Sequence, residues 1–502
     1  MREVDRINST VWNLRPLSLV FCGLFALTLG LCLGVDVKAE TVVVRLKVVS
    51  LSPSVIMIEE DLGQASAQWS FLSAYGRMVG LGERIDNFTA TDSGGHSVAV
   101  RRISPTDFRS EKAVSRISYQ VRVSEPSNSA DSSHVSWLNE RGGYLMLADL
   151  LPLSVDGQPG TSTVQIELQL PTQWNVASSA EANPRGQYEV PDVLHAVFLV
   201  GKGVRSKHKQ IGGTDFNIAA VGEWPFPIDS ITNIAARILR DHARHVGFEL
   251  QRRVTLMLFP LAGTVGAEQW TAETRGSNVV LLLGEHSTPD VLLGRLSIVL
   301  THELFHLWVP GSLSFDADYD WFFEGFTLYQ ALRCAVRLGF IGFQEYLSTM
   351  ARVYDSYLAT GERDWLSLLD ASQRRWTMAS SLAYDKGMLV AFLCDLSLRG
   401  ASRNRRSLDD VYRELFRQQR IVGAKEKGND AIIGILNREQ GTDWFSKRYI
   451  STPSAIRLEV ELPAYGLVVE SSENHSHLKV VQALSSQQRQ LLRSLGFGKQ
   501  RN

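Results

Sequence analysis

The feature that most constrains this chain is a short apolar run that carries two histidines, Leu300-Thr301-His302-Glu303-Leu304-Phe305-His306-Leu307-Trp308. His302 and His306 are four residues apart, so on an α-helix both imidazoles leave the same face, about one turn apart. Uncharged, mostly apolar residues flank the motif, which predicts a helix that is buried on most sides and ends at Pro310-Gly311. The fold must therefore place two metal-ligand side chains inside a core.

These residue types predict a zinc site. Zinc at catalytic sites binds imidazole and carboxylate and keeps one position open for water, and a neighbouring carboxylate often serves as the base. Glu303 lies where that base belongs. The predicted third ligand is Glu324, the only acidic residue in the aromatic run 321–329, because a buried carboxylate is costly unless it is paired or metal-bound. The sequence thus predicts one Zn²⁺ per chain, bound by His302, His306 and Glu324.

Composition sets the scale of the fold and excludes one class of partner. The chain has 502 residues, of which 44% are hydrophobic, enough for two or three globular domains. Its 52 basic and 53 acidic residues give a net charge of −1, so no electrostatic field favours nucleic acid. A peptide or protein substrate is the expected partner, and no oligomeric state is predicted.

The N-terminus has the pattern of a targeting segment. Arginines precede an apolar run over 17–34, and Val37-Lys38-Ala39 fits a cleavage site. Residues 1–39 are therefore predicted to be a signal peptide, which would place the mature chain in the periplasm or outside the cell. The alternative is an uncleaved membrane anchor, because an apolar run of about eighteen residues can span a bilayer.

Residues 40–222 are predicted to form an N-terminal β domain. Apolar and polar residues alternate at period two along 41–49, 117–123 and 163–170, and short turns rich in Gly, Ser, Asp and Pro separate such runs. This pattern is typical of an antiparallel β-sandwich with one face exposed to solvent. We expect this domain to be a scaffold that shapes one wall of the site.

A helix follows at the start of the catalytic region. Ser230 is predicted to cap it and Gly247 to end it. His242 and His245 lie on its last turn, where the helix dipole favours cations. We expect both histidines to be solvated rather than metal-bound.

The remaining elements predict a catalytic domain over 223–345 and a helical domain over 346–450. Two apolar runs, 254–259 and 278–283, are predicted to be buried strands, and Thr288-Pro289 opens the helix that carries the zinc motif.

Two details concern the C-terminal half. Cys334 and Cys394 lie in apolar helical contexts and are predicted to be buried thiols rather than a disulfide. The tail over 451–502 is predicted to contain two or three strands and a short helix that Ser485 caps. That helix could contact a membrane surface, but docking onto the protein is the favoured interpretation.

The order of these motifs resembles a known class of peptidases. H-E-x-x-H followed by a separate helix with E-G-F-T-x-Y is similar to the gluzincin pattern of thermolysin-like and aminopeptidase enzymes. In gluzincin aminopeptidases a loop before the zinc helix reads G-x-M-E-N or G-G-x-E-H, and its Glu binds the free α-amino group of the substrate. Glu273 matches that Glu, whereas Trp270-Thr271 replaces the paired glycines. A solvated surface Glu273 is the alternative.

Further motifs resemble the glycyl aminopeptidase-like metallopeptidases, an exported family. The matching segments are 171–177, Tyr384-Asp385-Lys386-Gly387-Met388 and Ser407-Leu408-Asp409-Asp410-Val411. The resemblance implies an α+β multidomain fold with an N-terminal antiparallel β-sandwich, a thermolysin-like catalytic domain and a C-terminal α-helical domain. It also implies that Tyr384 donates a hydrogen bond to the oxyanion of the tetrahedral intermediate. The family's usual C-terminal PDZ domain is expected to be absent, because 446–502 is too short for one.

The combined expectation is an exported zinc metallopeptidase, with aminopeptidase as the predicted activity. Glu303 would act as the base toward a zinc-activated water. One alternative is an endopeptidase with the same site, in which Glu273 binds no amine. The other is an inactive peptide-binding protein, which the altered positions 270–271 would suit.

Overall fold

The computed structural model describes residues 42–153, 163–316, 319–374, 380–422, 426–439, 441–442, 444–472 and 475–499. Residues 40–502 form one compact unit. The predicted signal peptide over 1–39 lies outside the described residues. Of the helices within the ranges above, none is long and apolar enough to cross a membrane.

The fold is α+β, with most strands in the first half of the chain and most helices in the second. The strands are, in chain order, β1 Val42–Leu51, β2 Ser54–Ser70, β3 Ala74–Tyr75, β4 Met78–Val79, β5 Ile85–Thr91, β6 Ser97–Val98, β7 Val100–Arg102, β8 Asp107–Arg122, β9 Trp137–Leu138, β10 Gly142–Met146, β11 Val164–Gln169, β12 Trp174–Ala177, β13 Glu181–Ala182, β14 Tyr188–Val190, β15 Val197–Lys202, β16 Arg205–Ile211, β17 Thr214–Ala220, β18 Arg253–Pro260, β19 Trp270–Arg275, β20 Asn278–Leu283, β21 Phe315–Asp316, β22 Glu426–Lys427, β23 Leu467–Ser472 and β24 His475–Val480. The α-helices are α1 Ile228–Val246, α2 Pro289–Glu303, α3 Thr327–Arg337, α4 Phe343–Ala359, α5 Leu368–Ser372, α6 Ser380–Ser402, α7 Leu408–Val422, α8 Gly428–Arg438, α9 Leu458–Glu461 and α10 Ser486–Ser494.

The N-terminal β region is a sandwich of two sheets. The larger sheet has the order β13-β14-β11-β1-β2-β8-β5-β6, with β7 beside β8, and the smaller has the order β12-β15-β10-β9. Both contribute to one apolar core, in which Val44 and Ile117 of the larger sheet are clustered with Leu145 and Phe198 of the smaller. The prediction of a purely antiparallel sandwich is wrong at β1 and β11, which pair in parallel. The chain crosses the smaller sheet through β9 and β10 before β11 enters beside β1.

A third sheet connects the sandwich to the helices. Its order is β16-β17-β18-β20-β19, with parallel pairing from β17 to β20 and an antiparallel strand at each edge. One face packs on the smaller sheet of the sandwich, where the rings of Phe259 and Trp137 are 5.1 Å apart. The other face packs on α1 and α2. The predicted strands 254–259 and 278–283 are confirmed, while β16 and β17 precede the predicted boundary at residue 222.

A proline lies at the start of each of the two helices of this region, directly before α1 and as the first residue of α2. α1 begins at Ile228 after Pro227, so the prediction that Ser230 caps it is wrong; Gly247, with φ of 89°, ends the helix as predicted. Proline fixes its own φ, which favours a helix start directly after it. Thr288 precedes α2 and Pro289 is its first residue, as predicted.

The C-terminal segment folds back onto the helices. Ser485 caps α10 through the Gln488 N–H as predicted, and the leucines of α10 are buried. Arg333 of α3 donates to the Leu495 carbonyl at 2.8 Å, so the docking interpretation is confirmed. Cys334 and Cys394 are buried free thiols, also as predicted.

Candidate active site

The zinc motif lies where α2 ends and a tighter turn begins. α2 ends at Glu303 and Phe305–Leu307 forms a 3₁₀ turn, so the prediction of one α-helix that reaches Pro310 is wrong. The Thr301 carbonyl, which a continuous α-helix pairs with the N–H four residues on, accepts a hydrogen bond from His242 Nε2 at 3.0 Å. A long-range contact thus accompanies the change of helix type inside the motif.

Three ligand-type side chains converge despite this change. Nε2 of His302 and Nε2 of His306 are 2.9 Å apart, and each lies 3.6 Å from Oε2 of Glu324. Glu324 belongs to a π-helical turn, Trp321–Phe326, that leads into α3. Such turns occur frequently at functional sites. The three side chains are 18%, 9% and 6% exposed, in the same order.

This set of donors fits zinc. Bonds of about 2.0–2.1 Å in a tetrahedral arrangement place ligand atoms roughly 3.3 Å apart, close to the three separations above. His306 Nδ1 donates to the Val309 carbonyl at 2.9 Å, the kind of hydrogen bond that fixes the ring of a metal-binding histidine. Burial lowers the pKa of His302 to about 3, so its imidazole is neutral, which is the form that binds metal.

Glu303 lies beside these ligands on the last turn of α2, with only 4% of its surface exposed. Thr274 Oγ1 is 2.8 Å from its carboxylate Oε2 and 2.9 Å from its main-chain oxygen. Burial raises the pKa of Glu303 to about 7, and the nearby Glu324 carboxylate adds to the increase. A carboxyl group with a pKa near neutral can both accept and return a proton.

Tyr384 lies near the start of α6 and is half-buried. This part of α6 approaches the π-helical turn closely: a Cβ on Gly387 would stand 2.5 Å from the Trp321 carbonyl oxygen and 3.0 Å from Gly325 Cα. Gly387 comes about one helical turn after Tyr384, and Gly325 follows Glu324 directly. The two glycines therefore bring the segments of Tyr384 and Glu324 together, and the role of Tyr384 toward an oxyanion stays a prediction.

Glu273 lies on an edge strand rather than in a loop. Residues 270–275 form β19, which pairs with β20, so the predicted loop is wrong there. The Glu273 carboxylate accepts hydrogen bonds from the Tyr75 hydroxyl and from Arg275 Nε at 3.0 Å, and it lies 2.6 Å from His134 Nδ1. Its side chain is 14% exposed, so the alternative of a solvated Glu273 is also wrong.

The two faces of β19 serve different parts of the molecule. Successive side chains of a strand point to opposite faces, so Thr274 faces α2 while Glu273 and Arg275 face the β sandwich. Burial alone would raise the pKa of Glu273, but Arg275, His134 and Tyr75 lower it to about 2. The carboxylate is therefore ionised and paired with a cation.

Thr274, Tyr75 and His134 could not be assigned from the sequence motifs alone. The alternation of side chains along a strand would have pointed to Thr274, had the strand been recognised. Tyr75 and His134 carry no local signal, because they are 198 and 139 residues away from Glu273 in the chain.

The histidines at the end of α1 are not solvated, contrary to the prediction. His242 is fully buried, and His245 is 17% exposed and contacts the Asp241 carbonyl at 2.7 Å. Asp241, His242 and Cys334 form a second group whose ligand-type atoms lie close together. However, Arg337 Nη2 donates to Asp241 Oδ2 at 2.7 Å, so the carboxylate charge is already compensated by a guanidinium.

The comparisons with known proteins agree with the predicted resemblance. Residues 77–197 match the family model of the peptidase M61 N-terminal domain, and residues 314–390 match that of the M61 glycyl aminopeptidase. The resemblance to glycyl aminopeptidase-like metallopeptidases is thus confirmed. The zinc motif lies between the two matched regions, and Glu324 and Tyr384 lie inside the second. No curated protein sequence matches the chain.

Solved structures share the fold. An aminopeptidase N family protein from Idiomarina loihiensis is 18% identical, with a TM-score of 0.74 over 86% of this chain and 79% of that chain. An M1 zinc metallopeptidase from Deinococcus radiodurans is 14% identical, with a TM-score of 0.53 over 84% of this chain and 95% of that chain. At such identities the likeness extends to the fold alone.

Proposed function

We propose that this chain, of which residues 77–197 and 314–390 match peptidase M61 family models, is a zinc-dependent peptidase. The observation that carries the proposal is the convergence of His302, His306 and Glu324 beside the buried Glu303. Zinc held by the first three residues would supply a Lewis acid that lowers the pKa of a bound water to about 7.

The chain's own residues account for the proton transfers of hydrolysis. Glu303 takes a proton from the attacking water and then delivers it to the nitrogen of the leaving amine. Glu303 is buried and ends α2 beside His302, His306 and Glu324, which is the position that such a base requires. Tyr384 donates a hydrogen bond to the oxyanion of the substrate carbonyl, and one such donor contributes about 3 kcal/mol to transition-state stabilisation.

The specific activity that we propose is that of an aminopeptidase. Glu273 has the sequence position of the amine-binding Glu in the aminopeptidase motif, and residues 314–390 match the M61 glycyl aminopeptidase model. Its carboxylate is ionised, so it has the charge to bind an α-ammonium group.

An endopeptidase is the second candidate, and the contacts of Glu273 favour it. Arg275 already compensates the carboxylate at 3.0 Å, and His134 and Tyr75 take further acceptor positions. An incoming ammonium group would meet a neutral ion pair instead of a lone anion, which weakens its electrostatic attraction. A substrate without a free N-terminus would then bind equally well.

The proposed location is outside the cytoplasm, on the strength of the targeting pattern over 1–39. The proposed partners are peptides or proteins, since the net charge of −1 provides no attraction for nucleic acid.

A product map by mass spectrometry tests these proposals. The zinc-loaded protein is incubated with peptide mixtures that carry free or acetylated N-termini, beside Glu303→Gln and the control Glu140→Gln. Glu140 is exposed on the turn between β9 and β10. We expect cleavage by the wild type and by Glu140→Gln, and only slow residual cleavage by Glu303→Gln, at an unchanged zinc content.

The products separate the candidates. Loss of single N-terminal residues from free peptides alone would support the aminopeptidase, and Glu273→Gln should then raise KM for those peptides. Internal cuts in both mixtures would support the endopeptidase. Binding of peptides without any cleavage by the wild type would refute the peptidase proposal.

A further inference from the structure

The edge strand β19 brings a hydroxyl to the proposed base. β19 pairs with β20 in a register that sets Thr274 opposite Val279, and the alternation of side chains turns Thr274 toward α2. Glu303 ends α2 at this point. Thr274 thus reaches the base from a different secondary-structure element.

One hydroxyl contacts both ends of the same residue. Thr274 Oγ1 lies 2.8 Å from Glu303 Oε2 and 2.9 Å from the Glu303 main-chain oxygen. A hydroxyl has one hydrogen to donate, so the two acceptors share it. Because the hydroxyl of Thr274 is hydrogen-bonded to both the main-chain oxygen and the carboxylate of Glu303, the Glu303 side chain has little rotational freedom. A free glutamate side chain rotates about several bonds.

The contact also distinguishes the two carboxylate oxygens. Oε2 is bonded to Thr274, whereas Oε1 forms no hydrogen bond with any residue that the structure describes. During hydrolysis the proton of the attacking water would pass to Oε1 and then to the amine nitrogen, while the bond from Thr274 to Oε2 stays in place. Thr274 neither gains nor loses a proton in this sequence.

We propose that Thr274 is a positioning residue that fixes the orientation of Glu303, so that Oε1 carries the proton in catalysis. This inference rests on the proposed peptidase function. Misplacement of a catalytic group by about 1 Å can reduce a rate by roughly 100-fold. Loss of the hydroxyl should therefore lower kcat by about 10- to 100-fold and leave KM, which depends on substrate contacts, within about twofold.

The test uses the full-length, zinc-loaded protein and three substitutions. Thr274→Val removes the hydroxyl and keeps the shape, and Thr274→Ser keeps the hydroxyl. Thr89→Val is the control: its exposed hydroxyl on β5 bonds the Ser118 carbonyl, away from the site. We expect Thr274→Val to lose kcat, Thr274→Ser to retain most of it, and Thr89→Val to keep it. Zinc content should equal that of the wild type in all three.

A double-mutant cycle with Glu303→Gln supplies the sharper readout. If Thr274 acts only through Glu303, Thr274→Val should cause no further loss in the slow residual turnover of Glu303→Gln. An equal fold-loss in both backgrounds would overturn the inference, as would wild-type kcat in Thr274→Val. Loss of zinc or of folding in both Thr274 variants would assign a structural role and also overturn it. A wild type that cleaves no peptide would refute the proposed function and this inference with it.

Discussion

Arg275 is expected to be a major stabilising residue, because its removal would leave a buried carboxylate without a counter-charge. The side chain is 3% exposed. It donates to Glu273 from Nε at 3.0 Å and to the His134 carbonyl from Nη2 at 2.6 Å, and its guanidinium lies 4.0 Å from the centre of the Tyr75 ring. Arg275→Met keeps much of the side-chain volume and removes all of these polar contacts.

The size of the effect can be worked out from the pKa of Glu273. An ordinary glutamate has a pKa of 4.5, and that of Glu273 is about 2, which corresponds to about 3 kcal/mol at neutral pH. Breaking a buried ion pair generally costs about 3–5 kcal/mol. We expect Arg275→Met to reduce the free energy of unfolding by about 3 kcal/mol, the lower end of that range, because His134 and Tyr75 also lower the pKa of Glu273 and remain in the variant. The double variant Glu273→Gln/Arg275→Met, which leaves no unpaired charge, should be more stable than Arg275→Met alone.

These differences form a double-mutant cycle of four proteins: the wild type, Glu273→Gln, Arg275→Met and the double variant. Urea denaturation, followed by tryptophan fluorescence, measures the free energy of unfolding of each. The pKa of Glu273 is depressed in the folded state, so its stabilisation is present above about pH 4.5 and is lost as the pH falls toward 2. Glu273→Gln should lack this acid-dependent loss. Strictly additive effects in the cycle, or an Arg275→Met variant within about 0.5 kcal/mol of the wild type, would refute the reasoning.

Three further predictions concern the metal, the helix contact and the sandwich core. Glu324→Gln should abolish the stabilisation by zinc, which for the wild type should reach about 4 kcal/mol at a zinc concentration 1,000 times Kd. Thermal unfolding with and without a chelator measures this stabilisation, and an unchanged zinc dependence in the variant would exclude Glu324 as a ligand. Gly387→Ala should destabilise the protein by about 1–3 kcal/mol, because the added Cβ would stand 2.5 Å from the Trp321 carbonyl oxygen. Gly294→Ala on α2 should be neutral or stabilising, because its Cβ would meet open space. Equal urea midpoints for the two variants would contradict the packing argument. Burial raises the pKa of Glu60 in the sandwich core to about 7, so the wild type should lose stability as the pH rises from about 4.5 through 7. Glu60→Gln should therefore be more stable than the wild type at pH 8, by up to about 3 kcal/mol, but not at pH 4. Parallel pH–stability curves for the two proteins would disprove this prediction.

Local sequence patterns predicted the elements that local chemistry determines. Thr288-Pro289 opens α2 because proline fits the first turn of a helix, and Gly247 ends α1 because glycine adopts a positive φ at little cost. The four-residue spacing predicted that the rings of His302 and His306 lie together. Their Nε2 atoms are 2.9 Å apart, although the helix changes from α to 3₁₀ between the two residues. Glu324 could be proposed because a lone carboxylate among aromatic residues requires a partner.

The errors arose where distant residues decide the structure. The end of α2 at Glu303 coincides with a hydrogen bond from His242, 59 residues away from Thr301. β19 is a strand because β20 offers a partner, although its own sequence is largely polar. The parallel pairing of β1 with β11 likewise depends on where the chain re-enters the sheet, and no pattern within either strand specifies that.

The contacts of β19 with distant residues connect the N-terminal β region to the proposed base, Glu303. Shifting the register of a strand by one residue moves every side chain to the other face. Such a slip of β19 would turn Glu273 toward α2 and Thr274 toward the sandwich. The buried contacts of Glu273 and Arg275 with Tyr75 and His134 oppose that slip, because it would leave an ion pair without its partners. The N-terminal β region therefore does more than form a wall: through Tyr75 of β3 and His134 it opposes a shift in the register of β19 that would move the Thr274 hydroxyl away from Glu303.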